Sequence, residues 1–127
     1  MSVWLVNHSW ESFRRTQEYC GFATQSERDK IKVGDKVVYF GQGIVFGIFE
    51  AAMLVEDEFN GWGKKYPFQV KLKRVALATG GLVVKQLESK ILLQKSDGGS
   101  PNLLELSEIE FSKIKQAIDL KQKTLVF

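Results

Sequence analysis

Two strongly β-prone runs stand side by side in the middle of the chain, separated only by Gly41-Gln42-Gly43. Residues 36–40 and 44–50 are rich in valine, isoleucine, phenylalanine and tyrosine, which favour a pleated and at least half-buried surface. A short glycine-rich connection between such runs is typical of a tight reversal between antiparallel strands. The pair therefore predicts a hairpin and a fold built on a sheet, and it argues against an all-helical domain.

Residues 66–75 form a third run, which alternates between apolar and polar positions with the period of a strand that has one buried face. Phe68, Val70 and Leu72 face one way, and the polar side chains between them face the other. Residues 2–6 predict a further strand near the N-terminus. Gly80-Gly81 predicts a break before a short apolar run at residues 82–84.

A helix is predicted near each end of the chain. The first is capped by Ser9 and ends at Gly21, and it is followed by a polar, basic loop over residues 24–32. The second follows Ser107 and Glu110, which have the spacing of a capping box. These elements predict an α+β fold: a mainly antiparallel, strongly curved sheet that closes as a small barrel with peripheral helices.

The composition fits one domain that covers residues 1–127. A net charge of +3 suits a polyanionic partner. No apolar run approaches the length that a bilayer requires, and a lone cysteine without a signal peptide predicts a cytoplasmic protein without a membrane partner.

Enzyme chemistry has little support in the sequence. The single histidine and single cysteine cannot form the common zinc sites, so no metal and no cofactor are predicted. Cys20 and His8 form a conceivable nucleophile and base, but a small apolar cysteine at a helix end is the preferred interpretation. The chain is therefore predicted not to be an enzyme; any catalytic activity would lie on another domain or subunit.

Three segments in order carry a resemblance to a known family: Lys32-Val33-Gly34-Asp35-Lys36-Val37-Val38-Tyr39, Val45-Phe46-Gly47-Ile48-Phe49-Glu50 and Tyr66-Pro67-Phe68-Gln69-Val70-Lys71-Leu72. With the first strand and the helix that begins at Trp10, they span residues 3–72 and resemble the EVE family. The resemblance implies a PUA-like barrel related to YTH domains. Members of that superfamily bind RNA or DNA, and several hold a modified, flipped-out base in an aromatic cage. A similar domain is the N-terminal recognition module of modification-dependent restriction GTPases of the McrB type.

Trp62 is the first candidate for a wall that stacks on a base. It lies between two glycines in a predicted loop, and EVE relatives place a cage wall in the matching stretch. A tryptophan folded back over the end of the barrel is the alternative interpretation. Relatives carry another aromatic wall at the position of Cys20, so Tyr19 and Phe22 are the candidates to replace it.

Polar and basic residues complete the predicted interface. Asn7, His8 and Ser9 leave the first strand at the barrel mouth, where related YTH domains read the edge of a base. Lys64 and Lys65 follow Trp62 and are the first candidates for binding phosphate. The cations that could extend this track are Arg14, Arg15, Arg28, Lys30 and Lys32. A solvated surface is the alternative for all of them.

Three functional hypotheses remain open at this point. The first is a nucleic-acid-binding module that recognises a modified or flipped-out base, as in the DNA-recognition domain of a modification-dependent restriction system. The apolar residues 125–127 favour a module of a larger protein or assembly, and hence DNA. The second is a PUA-like RNA-binding or protein-interaction domain without specificity for a modification. The third is a small hydrolase or small-ligand binder.

Overall fold

The computed structural model describes residues 1–7, 10–41, 44–63, 66–83 and 103–124. The elements in chain order are β1 (Val3–Asn7), α1 (Trp10–Arg15), β2 (Tyr19–Phe22), α2 (Gln25–Arg28), β3 (Lys36–Gly41), β4 (Ile44–Glu56), β5 (Phe68–Val83), β6 (Leu103–Leu106) and α3 (Glu108–Thr124). The strands form one sheet in the order β2-β5-β4-β3-β1-β6, which curls into a half-barrel. Its strand pairs are antiparallel except for β1 with β3. The predicted α+β, mainly antiparallel fold is therefore confirmed.

The predicted hairpin is present as β3 and β4, which pair from Lys36 opposite Glu50 to Gly41 opposite Ile44. β4 and β5 form a longer antiparallel pair, with Glu56 opposite Phe68 at its outer end. Register shifts interrupt both pairings. Such irregularities increase the local bend and twist, so they allow these strands to follow the curl of the sheet.

Both faces of the sheet are buried where β1 and β3 lie. Val38 belongs to one core cluster, which α3 covers with Ile114 and Ile118. Tyr39 belongs to a second cluster on the opposite face, where the Phe13 ring of α1 meets it edge to face at 4.9 Å. Burial on both faces explains why β1 and β3 are almost continuously apolar in sequence instead of alternating.

The first helix is shorter than its sequence predicts, and Gly21 does not end it. α1 ends at Arg15, and residues 19–22 form the edge strand β2, which pairs with β5. Gly21 lies opposite Gln69 in that pairing. Without this segment, β5 would have an edge with unpaired backbone N–H and C=O groups. Pairing as β2 gives these groups hydrogen-bond partners, which a continued helix would not.

Two further predictions about local structure are wrong. Residues 24–32 were expected to form a loop but contain α2, whose first turn is capped by the Thr24 hydroxyl accepting from the Glu27 amide at 3.4 Å. Gly80 and Gly81 do not end β5, which continues to Val83, although its pairing with β4 shifts register there, from Gly47 opposite Leu77 to Val45 opposite Leu82. In both places the tertiary partner overrides a weak local signal.

The capping box before α3 is confirmed. The Glu110 amide donates to Ser107 Oγ at 3.2 Å, and the Ser107 amide donates to Glu110 Oε1 at 3.3 Å. In the described parts of the chain, no helix is long and apolar enough to cross a bilayer.

Candidate nucleic-acid interface

Four aromatic side chains meet where the connection between β4 and β5 folds back over edge strand β2. We call Tyr19, Phe59, Trp62 and Tyr66 the aromatic cluster. Trp62 contacts the rings of Phe59 and Tyr66 edge to face, with centroid distances of 4.9 and 5.8 Å. Tyr19 stacks on Phe59 at 5.7 Å with an angle of 15° between the rings. The cluster therefore joins β2 to three positions of the loop that follows β4.

A glycine under the indole allows this close approach. A Cβ atom added at Gly21 would lie 2.7 Å from Trp62 Cζ3 and 2.7 Å from Tyr66 Cβ. The turn that carries Trp62 closes with the Gly63 amide donating to the Asn60 carbonyl at 3.0 Å. Gly63 adopts a positive φ of 68°, a conformation that other residues rarely accept. Gly21 thus permits the close packing of the Trp62 indole, and Gly63 permits the turn that carries it.

Gln69 fixes both ends of the loop to the sheet. Its side chain is 1% exposed and lies on β5 opposite Gly21. Gln69 Oε1 accepts from the Phe59 amide at 2.9 Å, and Nε2 donates to the carbonyls of Phe59 at 2.7 Å and Tyr66 at 3.0 Å. One buried amide group therefore satisfies three backbone groups that would otherwise be costly to bury.

Arg15 attaches the turn to the end of α1. Its Nη1 donates to the Gly61 carbonyl at 2.6 Å, while most of the side chain remains at the surface. Arg15 was predicted to contact phosphate, and the structure instead shows one of its donors on the loop backbone. The turn is consequently held from two sides, by Gln69 from the sheet and by Arg15 from the helix.

Tyr19 contributes an aromatic ring that stays uncharged. Its hydroxyl donates to Glu58 Oε1 at 2.6 Å, and Lys71 Nζ lies 3.8 Å from the same oxygen. The hydrogen bond to Glu58 raises the pKa of Tyr19 to about 12, with smaller contributions from burial and from the charges of Glu58 and Glu18. The ring is half-buried, so part of it faces solvent beside Lys71.

The structure separates the predicted aromatic candidates. Trp62 is 7% exposed and packed over Gly21, so it adopts the folded-back arrangement, and it shares the cluster with Tyr19. Phe22 is fully buried in the second core cluster and cannot be an exposed wall in this structure. Cys20 is also fully buried there, on the face opposite Gly21, and burial raises the pKa of its thiol. The thiol is thus a core group on a strand rather than at a helix end.

Of the predicted base-edge and phosphate residues, the structure describes Asn7, Arg14, Lys30 and Lys32 besides Arg15 and Arg28. Asn7 ends β1 opposite Phe40, and three strands lie between β1 and β2 in the sheet. His8, Ser9, Lys64 and Lys65 lie outside the described residues. Arg14 and Lys30 are exposed, as is Lys32, whose Nζ donates to the Asp29 carbonyl at 2.8 Å.

Arg28 has a structural role that its sequence position did not indicate. It is 9% exposed, donates to the Val55 carbonyl at 2.7 Å and to Asp29 Oδ1 at 2.7 Å, and lies 5.7 Å from the centre of the Phe68 ring. Its predicted place in a surface phosphate track is therefore wrong for this structure, because the guanidinium is used to pack α2 against β4 and β5.

Sequence reasoning missed Phe59, Tyr66 and Gln69 as parts of the site. The two aromatic residues bracket Trp62 within eight positions of sequence, a concentration that could have identified them. Gln69 gave no comparable signal, because in an alternating strand a buried glutamine and a solvated one have the same pattern.

Neither a protein-family model nor a curated protein sequence matches the chain. Among solved structures, it is similar to a hypothetical protein from Leishmania major, with 22% identity, coverage of 96% of this chain and 97% of that one, and a TM-score of 0.64. The YTH domain of Zygosaccharomyces rouxii MRB1, solved in complex with N6-methyladenosine RNA, has 13% identity over 92% of this chain and 86% of its own, with a TM-score of 0.68. Human THYN1, solved in complex with DNA containing 5-methylcytosine, has 14% identity over 95% and 98%, with a TM-score of 0.58. The chain therefore has the YTH and PUA-like fold that the EVE resemblance implied.

Proposed function

We propose that the protein is a nucleic-acid-binding module that recognises a modified base through the aromatic cluster. The observation that carries the proposal is the way Trp62 is held among the other three rings of the cluster, over Gly21, on a glycine-flanked turn attached by Gln69 and Arg15. Support also comes from the fold, which is that of a YTH domain bound to N6-methyladenosine RNA and of THYN1 bound to DNA with 5-methylcytosine.

Aromatic stacking supplies the energy that such recognition requires. Stacking on an aromatic side chain is worth about 1–3 kcal/mol per base, which offsets the cost of taking the base out of its own stack. A methyl group adds apolar area worth about 0.8 kcal/mol when it is fully buried. A cluster of four aromatic rings can therefore favour a methylated base modestly over its unmodified form.

Access to Trp62 requires a local movement of the turn. The indole lies over Gly21 between Phe59 and Tyr66, whereas Asn60 and Gly63 are exposed. We propose that an incoming base lifts this turn and stacks on the indole, while Gln69 keeps the ends of the loop in place. The core clusters do not include the turn, so they need not change.

The experiment is a binding panel of matched single- and double-stranded DNA and RNA, each with and without 5-methylcytosine or N6-methyladenine. It also decides between DNA and RNA, and it tests whether the module suits the DNA-recognition role of a modification-dependent restriction system. Trp62→Ala should lose about 1–3 kcal/mol of binding free energy, or about 5- to 150-fold in Kd. Trp62→Phe, which keeps a smaller ring, should retain part of the affinity.

Two results would contradict the proposal. One is that the wild-type protein binds no member of the panel, which would favour a protein-interaction domain. The other is that Trp62→Ala lowers the melting temperature sharply and leaves the affinity of the folded fraction unchanged. Trp62 would then be a packing residue only.

A further inference from the structure

One face of the sheet has an open strip between two covered regions. At one end α3 packs its apolar residues against Ile48 and Ala78, and at the other the β4–β5 loop covers Gly21 and Gln69. The side chains between these regions are exposed or half-buried. We call this set the lysine strip; it comprises Lys36, Glu50, Met53, Lys71 and Lys73.

Strand pairing places the members of the strip on the same face. Residues directly opposite each other in a sheet point to the same side. Lys36 is opposite Glu50, and Glu50 is opposite Lys73. In the neighbouring row Met53 is opposite Lys71, which is in turn opposite Tyr19. The strip therefore begins at the aromatic cluster and runs away from it along β5.

The strip carries an excess of positive charge. Glu50 is bound by Lys36 at 2.6 Å; this hydrogen bond and the charge of Lys36 lower the pKa of Glu50, and Lys73 adds a smaller effect. Lys71 Nζ has a long contact of 3.8 Å to Glu58 Oε1, which already accepts from Tyr19. Among the described residues, Lys73 has no carboxylate within ion-pair distance. Lys71 and Lys73 are thus the cations available to an anionic partner.

Apolar surface accompanies these cations. Met53 is 55% exposed although it lies within β4, and the half-buried Tyr19 ring continues the row beyond Lys71. A partner that suits this surface offers repeated negative charges together with flat or apolar groups. A nucleic-acid strand has both, in its phosphates and in its bases and sugars.

We propose that the lysine strip binds the backbone of the nucleic-acid strand next to the base held in the aromatic cluster. This inference rests on the proposed function and adds the path of the flanking strand. Lys71 and Lys73 lie two residues apart on β5, which places their Cα atoms about 6.7 Å apart along an extended strand. The two ammonium groups contact successive phosphates. We take the strand as single, because a base that is already single-stranded can enter the cluster at the lowest cost of unstacking and unpairing.

The test compares two double variants that remove the same charge. Lys71→Gln/Lys73→Gln changes the strip, and Lys113→Gln/Lys115→Gln changes two exposed lysines of α3. The probe is a fluorescein-labelled single strand of about nine nucleotides with one methylated base at its centre. Its Kd is measured by anisotropy between about 50 and 200 mM salt.

The strip variant should bind every sequence more weakly, and the slope of log K against log salt should fall by about 1.4 units, the value for two phosphates of a single strand. The α3 variant should keep the wild-type slope. A methylated trinucleotide is too short to reach along the whole strip. Its Kd should therefore differ less between wild type and the strip variant than the Kd of the longer probe does.

Equal loss of slope in both double variants would overturn the proposal, since it would show only the overall charge of the protein. An unchanged slope in the strip variant would also overturn it. If Trp62→Ala still weakens binding in either case, the proposed function stands and only the strand path is wrong. If the wild-type protein binds no oligonucleotide, both fail together.

Discussion

Gln69→Leu removes the group that joins both ends of the β4–β5 loop to the sheet. Leucine keeps much of the buried volume but offers no donor and no acceptor. The Phe59 amide and the carbonyls of Phe59 and Tyr66 lose their partner in a region where Gln69 itself is 1% exposed. We expect the loop to detach in this variant, because open solvent can satisfy these groups and the apolar side chain cannot.

The expected cost follows from the three hydrogen bonds. Each contributes about 0.5–1.5 kcal/mol to stability, so their sum is about 3 kcal/mol. The free energy of detaching the loop sets an upper limit on this loss of stability, because the variant adopts whichever state, loop attached or loop detached, has the lower free energy. In a domain of this size about 1 kcal/mol corresponds to about 3–6 °C in Tm, so a fall of about 10–15 °C is expected if the loop stays in place.

Gln69→Glu is the companion variant, since it keeps the shape and changes only the hydrogen-bonding groups. A carboxylate accepts from the Phe59 amide but faces two carbonyl oxygens that the amide group of Gln69 had bound as a donor. Burial and these carbonyls raise the pKa of the new carboxyl in the folded state above the unfolded value of about 4.3. The folded state then holds its proton more tightly, so the stability that ionisation removes is present below the unfolded pKa and is lost as pH rises through the folded pKa. The neutral carboxyl still has one O–H donor where the Gln69 amide has two N–H donors, so part of the wild-type stability is not recovered.

Urea unfolding gives the global stability, and hydrogen exchange at the Phe59 amide reports on the loop. In Gln69→Leu, the protection of this amide should fall toward that of an open loop. As pH is lowered, the free energy of unfolding of Gln69→Glu should approach that of wild type. The corresponding difference for Gln69→Leu should not shrink in this way, because leucine has no group that titrates. Wild-type protection of Phe59 in Gln69→Leu, or a pH-independent penalty in Gln69→Glu, would refute the reasoning.

Two further predictions concern positions around this site and its supporting sheet. Gly21→Ala places a Cβ atom 2.7 Å from the indole, so Trp62 should leave its seat and red-shift its fluorescence; an unchanged spectrum would contradict the close approach. At Asp35, burial alone would raise the pKa, but hydrogen bonds from the Lys32 amide, Trp4 Nε1 and the Ser2 amide outweigh it, and the pKa is lowered. The contribution of Asp35 to the free energy of unfolding is therefore present above the unfolded pKa and lost as pH falls through the folded pKa. Asp35→Asn should lower the free energy of unfolding by about 1.5–3 kcal/mol at neutral pH and flatten the acid limb of its pH profile. Urea unfolding across the acid range measures this, and an unaltered acid limb would exclude the role of Asp35.

The parts of the fold that could be predicted from sequence are those whose signal is local. The hairpin at Gly41 and the alternation in β5 are visible because neighbouring residues share one environment. β2 and α2 were missed because each has only four residues, too few for a reliable pattern, and each exists through its contacts with β5. Short elements of this kind obtain most of their stability from packing rather than from propensity.

The site shows the same division. Trp62 was chosen as a candidate because a tryptophan between glycines is unusual in a loop, whereas Gln69 is indistinguishable in sequence from the lysine that follows two residues later. Alternation correctly placed Gln69 and Lys71 on one face, but only the fold determines that the loop covers the first and leaves the second open. Which part of a polar face is covered depends on long-range contacts, so local sequence patterns cannot provide it.

EVE relatives carry an aromatic wall at the position of Cys20, so the face of β2 on which Cys20 lies decides whether this position could contact a base. Alternation along β2 directs Cys20 into the second core cluster, while Tyr19 and Gly21 lie on the face that the Trp62 turn covers. An aromatic residue introduced at position 20 would therefore enter the core and have to displace buried neighbours, which costs stability before it can contact a ligand. Tyr19 already stacks on Phe59 beside Trp62. If the cluster reads a base, selectivity for the modification in this chain should thus depend on the face that carries Tyr19 and not on the position of Cys20.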